Sequence, residues 1–578
     1  MPQWVMPDTS GVLRQRLQAA FDTIAPDADP VLRPSERADF QSNGALALAK
    51  RVGRLPRQVA DEVVDAASLD DLCASVEVSG QGFINLTLSE EFIADQLAAM
   101  GADERLGVDV VPAPQTMVID YSSPNVAKEM HVGHLRTTVL GDALARILGF
   151  LGHAVLRENH IGDWGTPFGM LIERLIDVGG AADAESFSVR DLNAFYAEAR
   201  QHFDSDPAFG ERCRRRVVLL QGGDAETLRL WRIFVAESLR HIDEVYGMLG
   251  VLLTDEDVVG ESFYNPWLPV VVDELAARGL LVEDDGAQCV FPDGFTNRQG
   301  DPLPLIVRKS DGGYGYPATD LACVRDRTGR RGATTLLYVV GAEQALHLRM
   351  VFAVAAMAGY LPETSAAVHV GFGLVLGPDG KKLASRVGGS ERLADLLTEA
   401  VDRATASIAG RPSDLNAGQR AAVARTLGIG AVKYADLSTE RMRDYVFDWD
   451  RMLAFEGNTG PYLQYAHARI RSIFRRAEMP PPARGARPSV GEPPERALAL
   501  QLLEFPAAIA ATAESYSPSK LCTYLFDLAT TFTTFYEACR VLVDDVAVRT
   551  ARLALCDLTA RTLALGLSLL GMEAPEQM

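Results

Sequence analysis

Two histidines three residues apart, His131 and His134, bracket Val132 and Gly133 in this chain. An apolar, strand-like run (Met117, Val118, Ile119) precedes them. A helical pattern (Val139, Leu140, Ala143, Leu144, Ile147, Leu148) follows. A strand that turns into a helix leaves unpaired N–H groups and a positive dipole end at the turn, which suits a phosphate. Imidazoles at this spacing share one face of the first helical turn and can donate to phosphate oxygens. Gly133 has no Cβ, so a flat ring could approach the backbone there. Zinc binding, the alternative for such a pair, needs a third and often a fourth ligand, and none is near in sequence. A second chemical run, Gly377-Pro378-Asp379-Gly380-Lys381-Lys382, follows a strand-like segment. A glycine-punctuated loop carrying lysine can close over a triphosphate, although surface turns share that composition.

The context of the pair is more specific. Ser122-Ser123-Pro124-Asn125-Val126-Ala127-Lys128-Glu129-Met130-His131-Val132-Gly133-His134-Leu135-Arg136 resembles the ATP-binding block of class I aminoacyl-tRNA synthetases, and within them that of the arginyl-tRNA synthetases. Lys382-Leu383-Ala384-Ser385-Arg386 resembles the Lys-Met-Ser-Lys-Ser loop of the class. It keeps the first lysine and has Ser385 in place of the second. In the family, a lysine just upstream of the paired histidines compensates, and Lys128 stands there. The resemblance therefore implies an ATP site of Lys128, His131, Gly133, His134, Lys382 and Ser385. Within it, Lys128, His131, His134 and Lys382 would act on the triphosphate. It implies an arginine pocket of Asp120, Asn125, Tyr316, Asp320 and Gln344. His160, opening the run His160–Gly165, would stand at the rim, where a purely structural turn is the alternative. Carboxylates suit arginine because a guanidinium presents a rigid fork of donors that a carboxylate takes two at a time. Discrimination of about 10⁴ by binding alone is reachable in such a site, so an editing domain is not expected.

The elements that must position these groups read as an α/β core between two other units. Residues 1–107 read as an α+β domain, with helices near 11–24, 46–51 and 56–67 and strands at 76–78 and 83–88. Residues 108–392 alternate strand and helix as a Rossmann-like domain does, with strands at 116–121, 154–159, 336–340 and 368–376 and a helix-rich insertion at about 176–300. The run Gly371–Gly377 imitates a dinucleotide fingerprint but lacks the following helix. Residues 393–477 form a helical junction. After the Pro-rich stretch 479–488, residues 478–578 read as an all-α bundle with helices near 495–516, 518–542 and 548–570.

Tyr462, Tyr465, Arg469 and Arg471 mix rings and cations at helical spacing, which suits unstacked RNA bases and phosphates. A core stripe with solvated arginines is the alternative. Their surroundings, Asp444–Asp450 and Asn458–Arg469, resemble the family's junction with its anticodon-binding domain. Phe40, Gln41 and Asn43 lie in a run resembling the family's extra N-terminal domain, which implies contact with the outer corner of tRNA; a packing or dimer domain is the alternative.

Composition bounds the rest. The chain has 578 residues, 48% hydrophobic and 23% charged, as ordinary multi-domain globular proteins do. Its net charge of −21 argues against nonspecific nucleic-acid binding but permits local basic patches that read a folded RNA. Seven scattered cysteines imply reduced, mostly buried thiols and no structural zinc. No apolar run reaches the ~18 residues that span a bilayer, and the first basic residue is Arg14, unlike a secretory leader. The resemblance implies an arginine–tRNA ligase using ATP, with Mg2+ carried by the nucleotide and activation that requires bound tRNA, and a cytoplasmic monomer is expected. A non-catalytic or specialised paralogue that binds tRNA is the alternative.

Overall fold

A computed structural model describes residues 9–35, 37–126, 128–179, 189–383, 392–410 and 414–578. At the N-terminal end, helices Thr9–Ile24, Gly44–Val52 and Pro56–Ala67 pack with an antiparallel sheet ordered Leu32–Pro34, Phe40–Ser42, Phe83–Leu88, Cys73–Ser79. The helix Pro56–Ala67 starts with its proline in the first turn, where a missing N–H costs nothing. It buries Val59, Ala60, Val63 and Ala67 at helical spacing.

The central sheet is parallel and ordered Ala366–His369, Thr335–Tyr338, Thr116–Asp120, Ala154–Glu158. Met117 and Ile119 pack into the layer containing helix Gly133–Phe150. Val118, between them, packs into the opposite layer with helices Tyr316–Gly329 and Ala345–Met357. Alternate residues of one strand thus feed two cores, as a sheet covered on both faces requires. The strands' C-terminal ends open onto the crossovers that carry the candidate site, where ligands of doubly wound sheets bind.

Three sequence expectations need correction. The strand expected over 368–376 is two strands: Ala366–His369 in the central sheet, and Val375–Leu376 paired with Tyr445–Val446. The chain breaks at Gly373, whose backbone lies so close to Asp444 that a Cβ would stand 2.5 Å from Oδ1. The helix-rich insertion also holds a small antiparallel sheet, Val282–Asp284, Ala287–Val290 and Leu305–Arg308. Its first hairpin turns at Asp285-Gly286, both at positive φ (47° and 75°), a turn signal that helical composition nearby obscured. The helix expected over 495–516 is two, Pro493–Leu503 and Phe505–Ser515, broken beside Pro506. By length and composition Pro493–Ser515 could cross a membrane, contrary to the expectation; half of that window is buried inside the molecule.

The Pro-rich stretch is a fixed strap rather than a free linker. Arg484 pairs with Glu104 (2.7 Å) and Arg487 with Asp95 (2.7 Å), tying the strap to the last N-terminal helix, Glu90–Ala102. Arg496 reaches Asp39 at 2.5 Å and the Leu88 carbonyl at 2.7 Å. All seven cysteines are free and buried.

Candidate active site

Strand Thr116–Asp120 ends in two serines with left-handed backbone, Ser122 (φ 70°) and Ser123 (φ 47°). Such conformations cost energy and persist only where surroundings hold them. Here the Ser122 N–H donates to Thr137 Oγ1 (2.9 Å), and Tyr246 O–H donates to Ser122 Oγ (2.7 Å). The Ser123 N–H donates to Asn159 Oδ1 (3.0 Å). His131 stands two residues before helix Gly133–Phe150.

The two imidazoles lie 4.0 Å apart, centre to centre. His131 N–H donates to Nδ1 of His134, and Gly133 N–H donates to Nδ1 of His131, each at 3.0 Å. Accepting at Nδ1 fixes the neutral tautomer with hydrogen on Nε2, so each ring keeps one N–H for a phosphate oxygen. Burial is the main cause lowering both acidities' midpoints, with Lys382 and Lys128 adding to it at His131; His134 is pushed down to about 3. Gly133 serves a purpose other than the expected approach of a substrate ring. A Cβ there would stand 2.6 Å from His131 Cε1, so the ring that needs the space is the protein's own.

Lys382 follows the tight turn Gly377–Gly380, with Gly380 at φ 72° and Gly377 N–H donating to the Lys381 carbonyl at 2.7 Å. Downstream, Leu393 N–H donates to the Met130 carbonyl (2.9 Å) and Arg392 pairs with Glu129 (2.6 Å), so the chain returns against the histidine block. Lys128 is exposed, with Nζ 4.9 Å from the centre of the Tyr196 ring of the insertion. Ser385 lies outside the described residues.

The arginine-pocket expectation is corrected at Asp120. Strand register sets Tyr338, Asp120 and Glu158 side by side across the sheet. The fully buried guanidinium of Arg327 lies against all three: 2.6 Å from Asp120, 2.7 Å from Glu158 and 4.9 Å from the Tyr338 ring centre. Ser123 Oγ donates to the other Asp120 oxygen (2.9 Å). The protein's own arginine occupies the carboxylate that sequence alone assigns to substrate.

Asp320 sits on helix Tyr316–Gly329, part exposed, with His347 Nε2 at 2.6 Å. Tyr316 is 76% exposed at that helix's first turn, and Gln344 is exposed just before helix Ala345–Met357. Asn125 packs on Gly162, where a Cβ would stand 2.3 Å from Asn125 Oδ1. The block after His160 thus supports Asn125. His160 Nδ1 lies 3.1 Å from the Val259 carbonyl. Sequence reading missed Glu261. Burial pushes its carboxyl up to about 7, with His160, Asp163 and Asp320 as its charged neighbours. No local motif marks Glu261; only a fold that brings residues 160, 261 and 320 together does.

On the helical side, Tyr462, Tyr465 and Arg469 share a face of helix Gly460–Ala477, and Tyr465 is 39% exposed. Tyr462 packs on Phe526 (5.8 Å) and Arg469 over Tyr536 (4.7 Å). Arg471 is corrected: it pairs with Glu576 (2.7 Å) on the other side of the helix. Phe40 is corrected too, since it is a core residue at 4% exposure. Gln41 donates to Asn85 Oδ1 (2.7 Å), and Asn43 lies beside Gln41 and Arg33 at the end of that strand.

A doubly wound parallel sheet with paired imidazoles at its first crossover, a lysine turn after the separate strand pair Val375–Leu376 and Tyr445–Val446, and a helical bundle beyond, is the arrangement of a class I aminoacyl-tRNA synthetase. Family models match along the chain: "Arginyl tRNA synthetase N terminal domain" over 10–88, "tRNA synthetases class I (R), catalytic domain" over 97–449 and "DALR anticodon binding domain" over 463–578. The arginine–tRNA ligase of Thermobifida fusca is 57% identical over 99% of this chain and 100% of its own, and that of Frankia casuarinae is 51% identical over 97% of each. The arginyl-tRNA synthetase structure from Plasmodium falciparum superposes with a TM-score of 0.84 at 28% identity, covering 99% of this chain and all of that one. The Thermus thermophilus arginyl-tRNA synthetase gives 0.80 at 26% identity, covering 98% of this chain and all of its own. The chain belongs to the arginyl-tRNA synthetase family, and its activity is the ATP-dependent ligation of arginine to tRNA.

Proposed function

We propose that Lys128, His131, His134 and Lys382 grip the triphosphate of ATP while Asp320, Glu261, Tyr316, Asn125 and Gln344 hold arginine. The arginine carboxylate oxygen bonds to the α-phosphorus, and the bond to the bridging oxygen breaks, releasing pyrophosphate. A hydroxyl of the tRNA terminal adenosine then attacks the carbonyl carbon and AMP leaves. No protein nucleophile is needed, so positioning and charge stabilisation carry the rate. The phosphate-facing groups are N–H donors, which suit phosphate oxygens and not a hard cation. Mg2+ therefore travels on the nucleotide, where it offsets phosphate charge. The observation that carries this reading is the pair of Nδ1-capped imidazoles, each of which keeps its Nε2–H as a donor suited to a phosphate oxygen.

Residues 1–107 and 478–578 would bracket the tRNA, with 108–392 catalytic and 393–477 the junction between them. Gln41, Asn43, Tyr465 and Arg469 are the tRNA-facing candidates. The protein would work as a cytoplasmic monomer. Activation would wait for bound tRNA, and one chain of contacts is consistent with such coupling. The buried ammonium of Lys433 donates to the Leu249 and Gly571 carbonyls, at 3.0 and 2.6 Å. Gly571 lies against Asp142, on the helix that begins beside the two histidines. ATP–pyrophosphate exchange with arginine and ATP, with and without arginine tRNA, tests this. Negligible exchange without tRNA is expected, and full exchange without it sinks the tRNA requirement.

A further inference from the structure

Before any substrate arrives, Asp320 already has a partner. His347, in the first turn of helix Ala345–Met357, places Nε2 2.6 Å from Asp320 Oδ2. Both side chains reach solvent, at 30% and 23% exposure, so the contact lies at the open cleft and not in the core. The charged and titratable groups around Asp320 come from four further directions. Glu261 comes from within the insertion, with His160 and Asp163 as its charged neighbours. Tyr338 faces it from the central sheet, and Arg327 lies farther along Asp320's own helix, committed to Asp120 and Glu158.

A neutral imidazole can donate one N–H to Oδ2 and leave Oδ1 for an incoming guanidinium. An imidazolium in the same place cancels the Asp320 charge and repels the fork. We propose that His347 is a specificity-determining positioning residue for arginine, which fixes the Asp320 carboxylate as a neutral donor and gives up its proton to solvent when the guanidinium binds. This rests on the reading of Asp320 as an arginine carboxylate. Binding one cation then expels others. The Asp320 hydrogen bond raises the His347 acidity midpoint, and burial raises that of Glu261 to about 7. Below those midpoints, arginine binding should release nearly two protons, one from each group. The slope of log Kd against pH then approaches two on the acid side, because the slope counts the protons displaced.

The test is calorimetric titration of L-arginine into the full chain at pH 6 and pH 8, in two buffers of different ionisation enthalpy. Wild type should release more protons at pH 6 than at pH 8. His347→Gln keeps an N–H donor but cannot titrate. It should release about one proton fewer at pH 6 and bind within threefold of wild type at pH 8. An unchanged proton count in His347→Gln would overturn the proposal. So would an equal loss of affinity at both pH values, the mark of a merely structural role. Asp320→Asn separates the two layers. Wild-type arginine binding in that variant would overturn the pocket itself, whereas lost binding there with the wild-type proton release kept by His347→Gln overturns only the role of His347.

Discussion

Asp120 offers the sharpest contrast between a residue that binds substrate and one that builds the wall behind it. Its carboxylate is 6% exposed and holds Arg327 at 2.6 Å, while Glu158, fully buried, holds the same guanidinium at 2.7 Å. Removing the cation, in Arg327→Met, takes the nearest cation from two buried carboxylates, leaving Glu158 with Arg331 at 3.5 Å and Asp120 with the Ser123 hydroxyl. Breaking a buried pair this way costs about 3–5 kcal/mol. The catalytic match spans residues 97–449. At roughly 2.1 cal/mol/K of unfolding entropy per residue, that cost lowers its melting temperature by about 4–7 °C. Asp120→Asn is milder, because Arg327 keeps Glu158 and Ser123 keeps an acceptor. It loses one charge-assisted bond, about 2 kcal/mol, and about 3 °C. The KM for arginine should move less than threefold in Asp120→Asn, since Arg327 and Ser123 already hold both oxygens of that carboxylate. Thermal melts and steady-state aminoacylation of purified variants read both numbers. A tenfold rise in the arginine KM of Asp120→Asn, with the melt unmoved, would refute the assignment and return Asp120 to the pocket.

Three more outcomes follow from the same geometry. Lys382→Ala should lower kcat by about 10²–10³, the usual loss for one preorganised charge partner, with the KM for tRNA unchanged; a loss under threefold would remove it from the triphosphate site. His134, held near 3 against 6.5 in the unfolded chain, binds its proton less readily when folded. Its stabilisation is complete above pH 6.5 and fades as pH falls towards 3, so wild type should lose on the order of 1 kcal/mol between pH 8 and 5.5; denaturant melts of His134→Asn should lack that part of the slope, and kcat at saturation should show no limb from His134 between pH 6 and 9. Gly162→Ala puts a Cβ 2.3 Å from Asn125 Oδ1 and should raise the arginine KM about tenfold by displacing that amide, at about 1–3 kcal/mol of stability; unchanged kinetics would show that Asn125 has room to give way.

Local chemistry was legible from residue order. The strand-to-helix crossover at 116–150, the paired imidazoles and the lysine turn are short-range features, each specified by apolar period and glycine placement within about 30 residues. The helices at 9–24 and 56–67 follow from the same periodicity. Where residue order misled, a partner distant in sequence was the cause. Asp120 and Arg327 are separated by 207 residues, and only parallel register beside Tyr338 and Glu158 makes them a pair. Arg471 turns towards Glu576 because the terminal segment folds back along its helix. Phe40 is core because its strand lies between two others. Glu261, His160 and Asp320, far apart in sequence, become charged neighbours only in the folded chain. The order of residues therefore determined which groups could do the chemistry. Tertiary structure decided which of them are free to do it, because a buried charge must first satisfy its neighbours before it can serve a ligand.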